Sequence, residues 1–154
     1  MVAAPMNLLE HAMSVQMILL PLFVQVLLTF GVGFLLAARR QQALRGRATR
    51  WQDIALREPN WPTGAMQAGY SFSNQFEIPV LFYVLTILAL ITKQADLIFV
   101  VMAWIFVLCR ALQACVHVTD NHVPRRGAFF IVGVIVLFIM WAIYIIRILT
   151  LSWA

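Results

Sequence analysis

The sequence predicts an all-α integral membrane protein, a single four-transmembrane-helix bundle over residues 1–154, on three observations. The first is composition: 63% of the 154 residues are hydrophobic and only 11% are charged, whereas soluble domains run near half apolar and a quarter charged. The second is spacing. Apolar stretches near 13–38, 69–92, 96–118 and 128–150 each reach the ~20 residues that a helix needs to cross hydrocarbon, and they leave almost no chain for a soluble domain. The third is where the charge falls. Six of the eleven basic residues, Arg39, Arg40, Arg45, Arg47, Arg50 and Arg57, lie in the first connection, and Arg125 and Arg126 open the fourth stretch. In a four-span chain these regions share one side. The positive-inside rule makes that side cytoplasmic and places both termini outside. The net charge of +5 is therefore a topology signal with a second use against anionic lipid headgroups, and nucleic-acid binding is not expected.

The first helix, 13–38, contains Gln16, Gln25 and Thr29 but no charge. Glu10 and His11 precede it where a cleaved leader would be basic, so a retained span is expected. Gly31 and Gly33 thin its later half for close helix packing, and Pro21 implies a kink. The connection at 39–68 is the only long one, and loops of that length are functional or disordered more often than plain connectors. Within it Arg50–Arg57 reads as a short amphipathic turn at the headgroups, with Trp51 and Trp61 as interface anchors. Pro59 and Pro62 break any helix, and Gly64 and Gly69 add freedom.

The second helix carries Tyr70, Asn74 and Glu77 at i, i+4 and i+7, one face of a helix. Pro79 then kinks it and widens the mouth of the bundle. Glu77 demands an account, because an ionisable side chain at the centre of a membrane helix costs roughly 2.5–3.5 kcal/mol on insertion scales. The third helix carries Arg110, Gln113 and His117 on one face of its last turns. It runs back toward the cytoplasm, so its end is level with the start of the second. Arg125 and Arg126 enter the fourth helix at the same level, after a turn and cap at Asp120 and Asn121. Three helices thus direct polar groups into one leaflet, while the other half of the bundle is nearly bare. Arg147, at the far end of the fourth helix, is expected to snorkel.

The plain reading of this cluster is an internal Glu77–Arg110 ion pair that fixes helix register. The sharper one is a site for a polar ligand. His117 can act as acid or base near neutrality, and an arginine beside the positive end of a helix dipole favours a nearby thiolate or carboxylate. Cys109 and Cys115, six residues apart, form neither a CxxC nor a His/Cys ligand pattern, so no metal or disulfide is expected. No Ser-His-Asp set, P-loop or dinucleotide fingerprint occurs. A transporter is disfavoured, since one polar leaflet provides no continuous pathway.

Asn74-x-x-Glu77 followed by Pro79, within Phe76-Glu77-Ile78-Pro79-Val80-Leu81-Phe82-Tyr83, resembles the MAPEG family, the membrane-associated proteins in eicosanoid and glutathione metabolism, and its bacterial branch in particular. Arg110, Gln113 and His117, then Asn121-His122-Val123 and Arg126, form the second match. The resemblance covers nearly the whole chain. It implies a homotrimer in a bacterial inner membrane, with sites between neighbouring subunits at the cytoplasmic side. It implies glutathione as co-substrate, held by Asn74, Glu77, Arg110, Gln113 and His117, with Tyr70 and Arg125 as further contacts. Arg126 matches the family's thiolate-stabilising arginine. The implied activity is glutathione transfer to lipophilic electrophiles or reduction of hydroperoxides. Two departures stand out: Tyr70 replaces an arginine of many catalytic members, and Gln113 and His117 replace tyrosines of the leukotriene-forming enzymes. The alternative is a non-catalytic module of the same fold that binds lipid or a partner protein.

Overall fold

The structure, a computed structural model, describes residues 13–55 and 60–150. Five α-helices and two short 3₁₀ turns follow one another: α1 Val15–Arg45, a turn at Trp51–Ile54, α2 Thr63–Ser73, a turn at Asn74–Phe76, α3 Ile78–Ile91, α4 Leu97–Val118 and α5 Val123–Thr150. The stretches Val15–Arg45, Thr63–Ile91, Leu97–Val118 and Val123–Thr150 are each long and apolar enough to cross a membrane. The four-helix membrane bundle is therefore present, with α2 and α3 together forming the second span. Arg57 and Pro59, which belong to the expected amphipathic turn and loop, lie outside the described residues, as do Glu10 and His11 before the first helix.

Three boundaries differ from those expected, each for a local reason. The first helix continues beyond Ala38 to Arg45, because Ala, Arg, Gln and Leu are strong helix formers whether or not they lie in lipid. It ends through Arg47, which takes a left-handed φ of 55°, while the Ala48 N–H reaches back to the Ala43 carbonyl at 3.0 Å. The second span starts at Thr63, directly after Pro62, and runs through Gly64 and Gly69. The fourth helix starts at Val123, with Pro124 in its first turn, where its missing N–H costs nothing. Its cap is neither Asp120 nor Asn121. His122 Nδ1 accepts from the Arg125 N–H at 3.3 Å.

The core gathers Phe82, Leu85 and Ala89 of α3, Phe99, Ala103 and Phe106 of α4, and Leu137 and Met140 of α5. Phe82 and Phe106 meet at 4.8 Å between ring centroids, and such pairs contribute about 0.5–1.5 kcal/mol beyond their burial. Helix α4 packs against α5 and α1, and α1 also packs against α2. Gly33 lets Phe72 approach: a Cβ there would sit 3.0 Å from the Phe72 ring. Gly31 has no such neighbour among the described residues, so of the two glycines Gly33 alone serves packing within the bundle. Pro21 is buried inside α1 and does not end it.

The half of the bundle expected to be bare is not. Asp96 caps α4 through Oδ1, which accepts from the Phe99 N–H at 2.9 Å, and its Oδ2 pairs with Arg147 Nη2 at 2.6 Å. Arg147 is thus an ion-pair partner that joins the end of α5 to the start of α4, not simply a snorkelling anchor. Thr92 and Tyr144 meet beside it at 3.5 Å. The sequence pattern concealed the pair because its members are 51 positions apart.

Candidate functional site at the arginine-rich end

The second span does not run unbroken through Asn74 and Glu77. The backbone tightens to a 3₁₀ turn at Asn74–Phe76, Glu77 adopts φ −97° and ψ −101°, and Pro79 falls in the first turn of α3. Pro79 therefore starts a new helix rather than kinking a continuous one. The break rotates the faces on either side. Tyr70 is 59% exposed and Glu77 is also exposed, while Asn74 is half-buried. The buried members of this segment are Ser71 and Gln75. Gln75 Oε1 accepts from Gln25 Nε2 at 2.9 Å, and Gln75 Nε2 donates to the Ser71 carbonyl at 3.3 Å. Gln25 Oε1 and Ser71 Oγ have no hydrogen-bond partner among the described residues.

Arg110 occupies the centre of the cluster. It is 2% exposed and is the largest fully buried side chain. Its Nη2 donates to the main-chain carbonyl of Asn74 at 2.6 Å, and its Nη1 donates to Gln113 Oε1. Glu77 makes no ion pair with it, although the carboxylate is near enough for its charge to act on the guanidinium. The expected Glu77–Arg110 contact is replaced by a neutral one, since the helix break turns Glu77 outward and presents a carbonyl instead. Arg110 Nε is buried and has no hydrogen-bond partner among the described residues. About two turns further along α4, His117 is 3% exposed, and its Nε2 likewise has no partner among them.

Helix α5 brings its arginines to this end unequally. Arg126 is half-buried, and its Nη1 donates to Asn121 Oδ1 at 2.7 Å. Its charge reaches His117. Asn121 adopts a left-handed φ of 51°, which Asn tolerates better than most residues, and so holds its amide toward Arg126. Arg125 is paired at 3.6 Å with Asp120 at the surface, the two side chains being 68% and 51% exposed. The structure thus groups Arg110, Gln113, His117 and Arg126 with the Asn74 backbone, and leaves Tyr70, Glu77 and Arg125 on the outside of the bundle.

Arg39, one of the basic residues that set the expected topology, also ties three segments together. Its Nη1 donates to the Gly64 carbonyl at 2.8 Å and its Nη2 to the Val118 carbonyl at 2.7 Å. Val118 ends α4, so the guanidinium lies where the helix dipole is negative. The signal was available: Val32, Leu36 and Ala43 are buried, and Arg39 continues their stripe at helical spacing.

The assembled groups have a clear chemical bias. Two guanidiniums and an imidazole converge with neutral amides and no paired carboxylate. Guanidinium is charged at every relevant pH and offers five donors, so the site favours an anion. Among the described residues no group of three or more His, Cys, Asp or Glu could hold a metal ion. No curated protein and no solved structure matches the chain. The family model described as MAPEG family, however, matches residues 18–146, from the first span to the last and across every group just described, and the chain belongs to the MAPEG family.

Proposed function

We propose that the protein is a glutathione-dependent transferase or peroxidase of the membrane, acting on lipophilic electrophiles or hydroperoxides. The observation that carries this reading is that buried Arg110 donates only to neutral acceptors, the Asn74 carbonyl and Gln113 Oε1. A buried guanidinium paired only with neutral acceptors is costly, and an anion that completes its coordination repays much of that cost. Glutathione is an anion with two carboxylates and a thiol. In this account Arg110, Gln113, His117 and Asn74 hold it, and Arg126 stabilises the thiolate without titrating itself. The thiol proton leaves to water. In transfer, the sulfur bonds the electrophilic carbon of a substrate that enters from the bilayer, and the leaving group departs with its electron pair and takes a proton from water. In reduction, the thiolate attacks the outer peroxide oxygen, the O–O bond breaks and the alkoxide leaves as the alcohol; a second glutathione then converts the sulfenic acid to the disulfide and water.

The outward positions of Tyr70 and Glu77 support a homotrimeric assembly, in which these two residues would face the ligand from a neighbouring subunit. An apolar groove between α3 and α5 starts at Ile78, one residue after Glu77, and runs past Leu137 to Trp141. It would admit the apolar co-substrate sideways. In this reading the protein lies in a bacterial inner membrane, the arginine-rich end facing the cytoplasm by the positive-inside rule and the termini outside.

One observation favours the non-catalytic alternative: Arg110 already links α4 to the α2 break through Asn74, which is work a structural residue would do. Isothermal titration with glutathione separates the two. Binding that is lost in Arg110→Met supports the enzyme. Absence of binding at millimolar glutathione rejects it.

A further inference from the structure

A groove beside α1, away from the Arg110 cluster, combines an apolar floor with unpaired positive charge. One wall is a single stripe of α1, since Phe34, Ala38, Gln41 and Arg45 follow at i, i+4, i+7 and i+11. The stripe is about 16 Å long at 1.5 Å per residue. Trp51 and Trp61 close the other side. At the lower end Phe34 is 74% exposed, on a helix that is apolar enough to cross a membrane.

The upper end is cationic, and Arg40 and Arg45 form no ion pair among the described residues. Arg45 is exposed with no hydrogen-bond or ion-pair partner among the described residues. The Arg40 guanidinium lies over the Trp61 ring, 4.9 Å from its centroid. Stacking of this kind uses the guanidinium face and leaves its edge N–H groups for a planar or tetrahedral anion. Asp53, the acid in the neighbouring turn, is turned away and accepts from the Arg50 N–H at 3.2 Å.

We propose that this groove binds an anionic phospholipid of the surrounding bilayer, its phosphate on Arg40 and Arg45 and an acyl chain along Phe34 and Ala38. A soluble anion would leave the apolar floor unused. A zwitterionic lipid would bring its own ammonium against two arginines. The tryptophans sit where the level of a headgroup requires them, since Trp concentrates at membrane–water interfaces, and basic groups at that level select anionic lipids. The site is independent of glutathione chemistry and would exist in a catalytic or a non-catalytic protein.

Tryptophan fluorescence tests it. The protein is reconstituted in phosphatidylcholine bilayers that contain an equal fraction of either brominated phosphatidylglycerol or brominated phosphatidylcholine. Brominated phosphatidylglycerol is expected to quench more strongly. That preference should fall about five-fold in Arg45→Gln, the effect of one basic group at the membrane surface, and further in Arg40→Gln/Arg45→Gln. Arg45 makes no hydrogen bond or ion pair among the described residues, so the single variant should keep its fold, which circular dichroism checks. Trp51→Phe should remove much of the excess quenching. Equal quenching by the two lipids overturns the proposal, and so does a preference unchanged in Arg45→Gln and Trp51→Phe. If Arg45→Gln weakens assembly in detergent and leaves lipid preference intact, a second copy fills the groove and the proposal fails.

Discussion

Arg110 of α4 donates to the main-chain carbonyl of Asn74 at 2.6 Å, so the break in the second span and the polar face of the third are parts of one arrangement. The break presents a carbonyl that an intact helix would use internally, and the buried guanidinium takes it. This contact fixes the level at which Gln113 and His117 lie. It also leaves Glu77 free to face outward.

Arg110 should therefore separate stability from binding. Arg110→Met keeps most of the side-chain volume and removes a buried charge, so thermal unfolding in detergent should shift by about 1 kcal/mol or less. Arg110→Ala also opens a cavity and should cost roughly 2–4 kcal/mol. Both variants should lose glutathione binding by titration. Retained binding in Arg110→Met would remove Arg110 from the ligand site.

The buried glutamine pair gives a non-additive signature. Gln25→Leu strands the Gln75 Oε1 that accepts from it at 2.9 Å, which should cost about 1–3 kcal/mol. Gln25→Leu/Gln75→Leu removes both partners and should recover part of that loss. A double variant as unstable as the sum of the singles would show that the pair is not coupled.

Much of this architecture was legible in the sequence, and the misses have physical causes. Hydrophobic length located all four spans, since a bilayer imposes it directly. Helix ends were harder. Residues 39–45 are charged and look like loop, but they favour helix in water as well as in lipid. The Asn74–Glu77 break is hidden in the sequence because Pro79 reads equally well as a kink or as a helix start, and the break itself splits the expected Tyr70–Asn74–Glu77 stripe, leaving Tyr70 and Glu77 exposed and Asn74 half-buried. The spacing of Arg110, Gln113 and His117 places them on one face of α4, and on this unbroken helix all three are buried. Pairings between distant positions, such as Asp96 with Arg147, leave no local trace.

The Asp96–Arg147 contact should be worth measuring by a double-variant cycle. The side chains are 23% and 34% exposed, so the pair is partly solvated and should contribute about 1 kcal/mol. Asp96→Asn keeps an oxygen to cap α4 and should lose only that. Asp96→Ala loses the cap as well, for a further ~1 kcal/mol. Identical effects of the two substitutions would rule out the cap.

The two glycines of α1 should respond in opposite directions. Gly33→Ala forces its Cβ to 3.0 Å from Phe72 and should destabilise by roughly 1–2 kcal/mol. Gly31→Ala meets nothing within 4 Å and should be neutral, or stabilising by up to about 1 kcal/mol. Thermal unfolding of the purified protein reads both.

The ultraviolet absorbance of glutathione thiolate, read when the ligand is mixed with purified protein at neutral pH, tests the central claim most directly. Wild-type protein and Arg125→Ala should both raise the thiolate band, because Arg125 is engaged at the surface with Asp120. Arg126→Ala should abolish the rise while glutathione still binds through Arg110. A wild-type protein that binds glutathione with no thiolate band, or a band that survives in Arg126→Ala, would contradict the account.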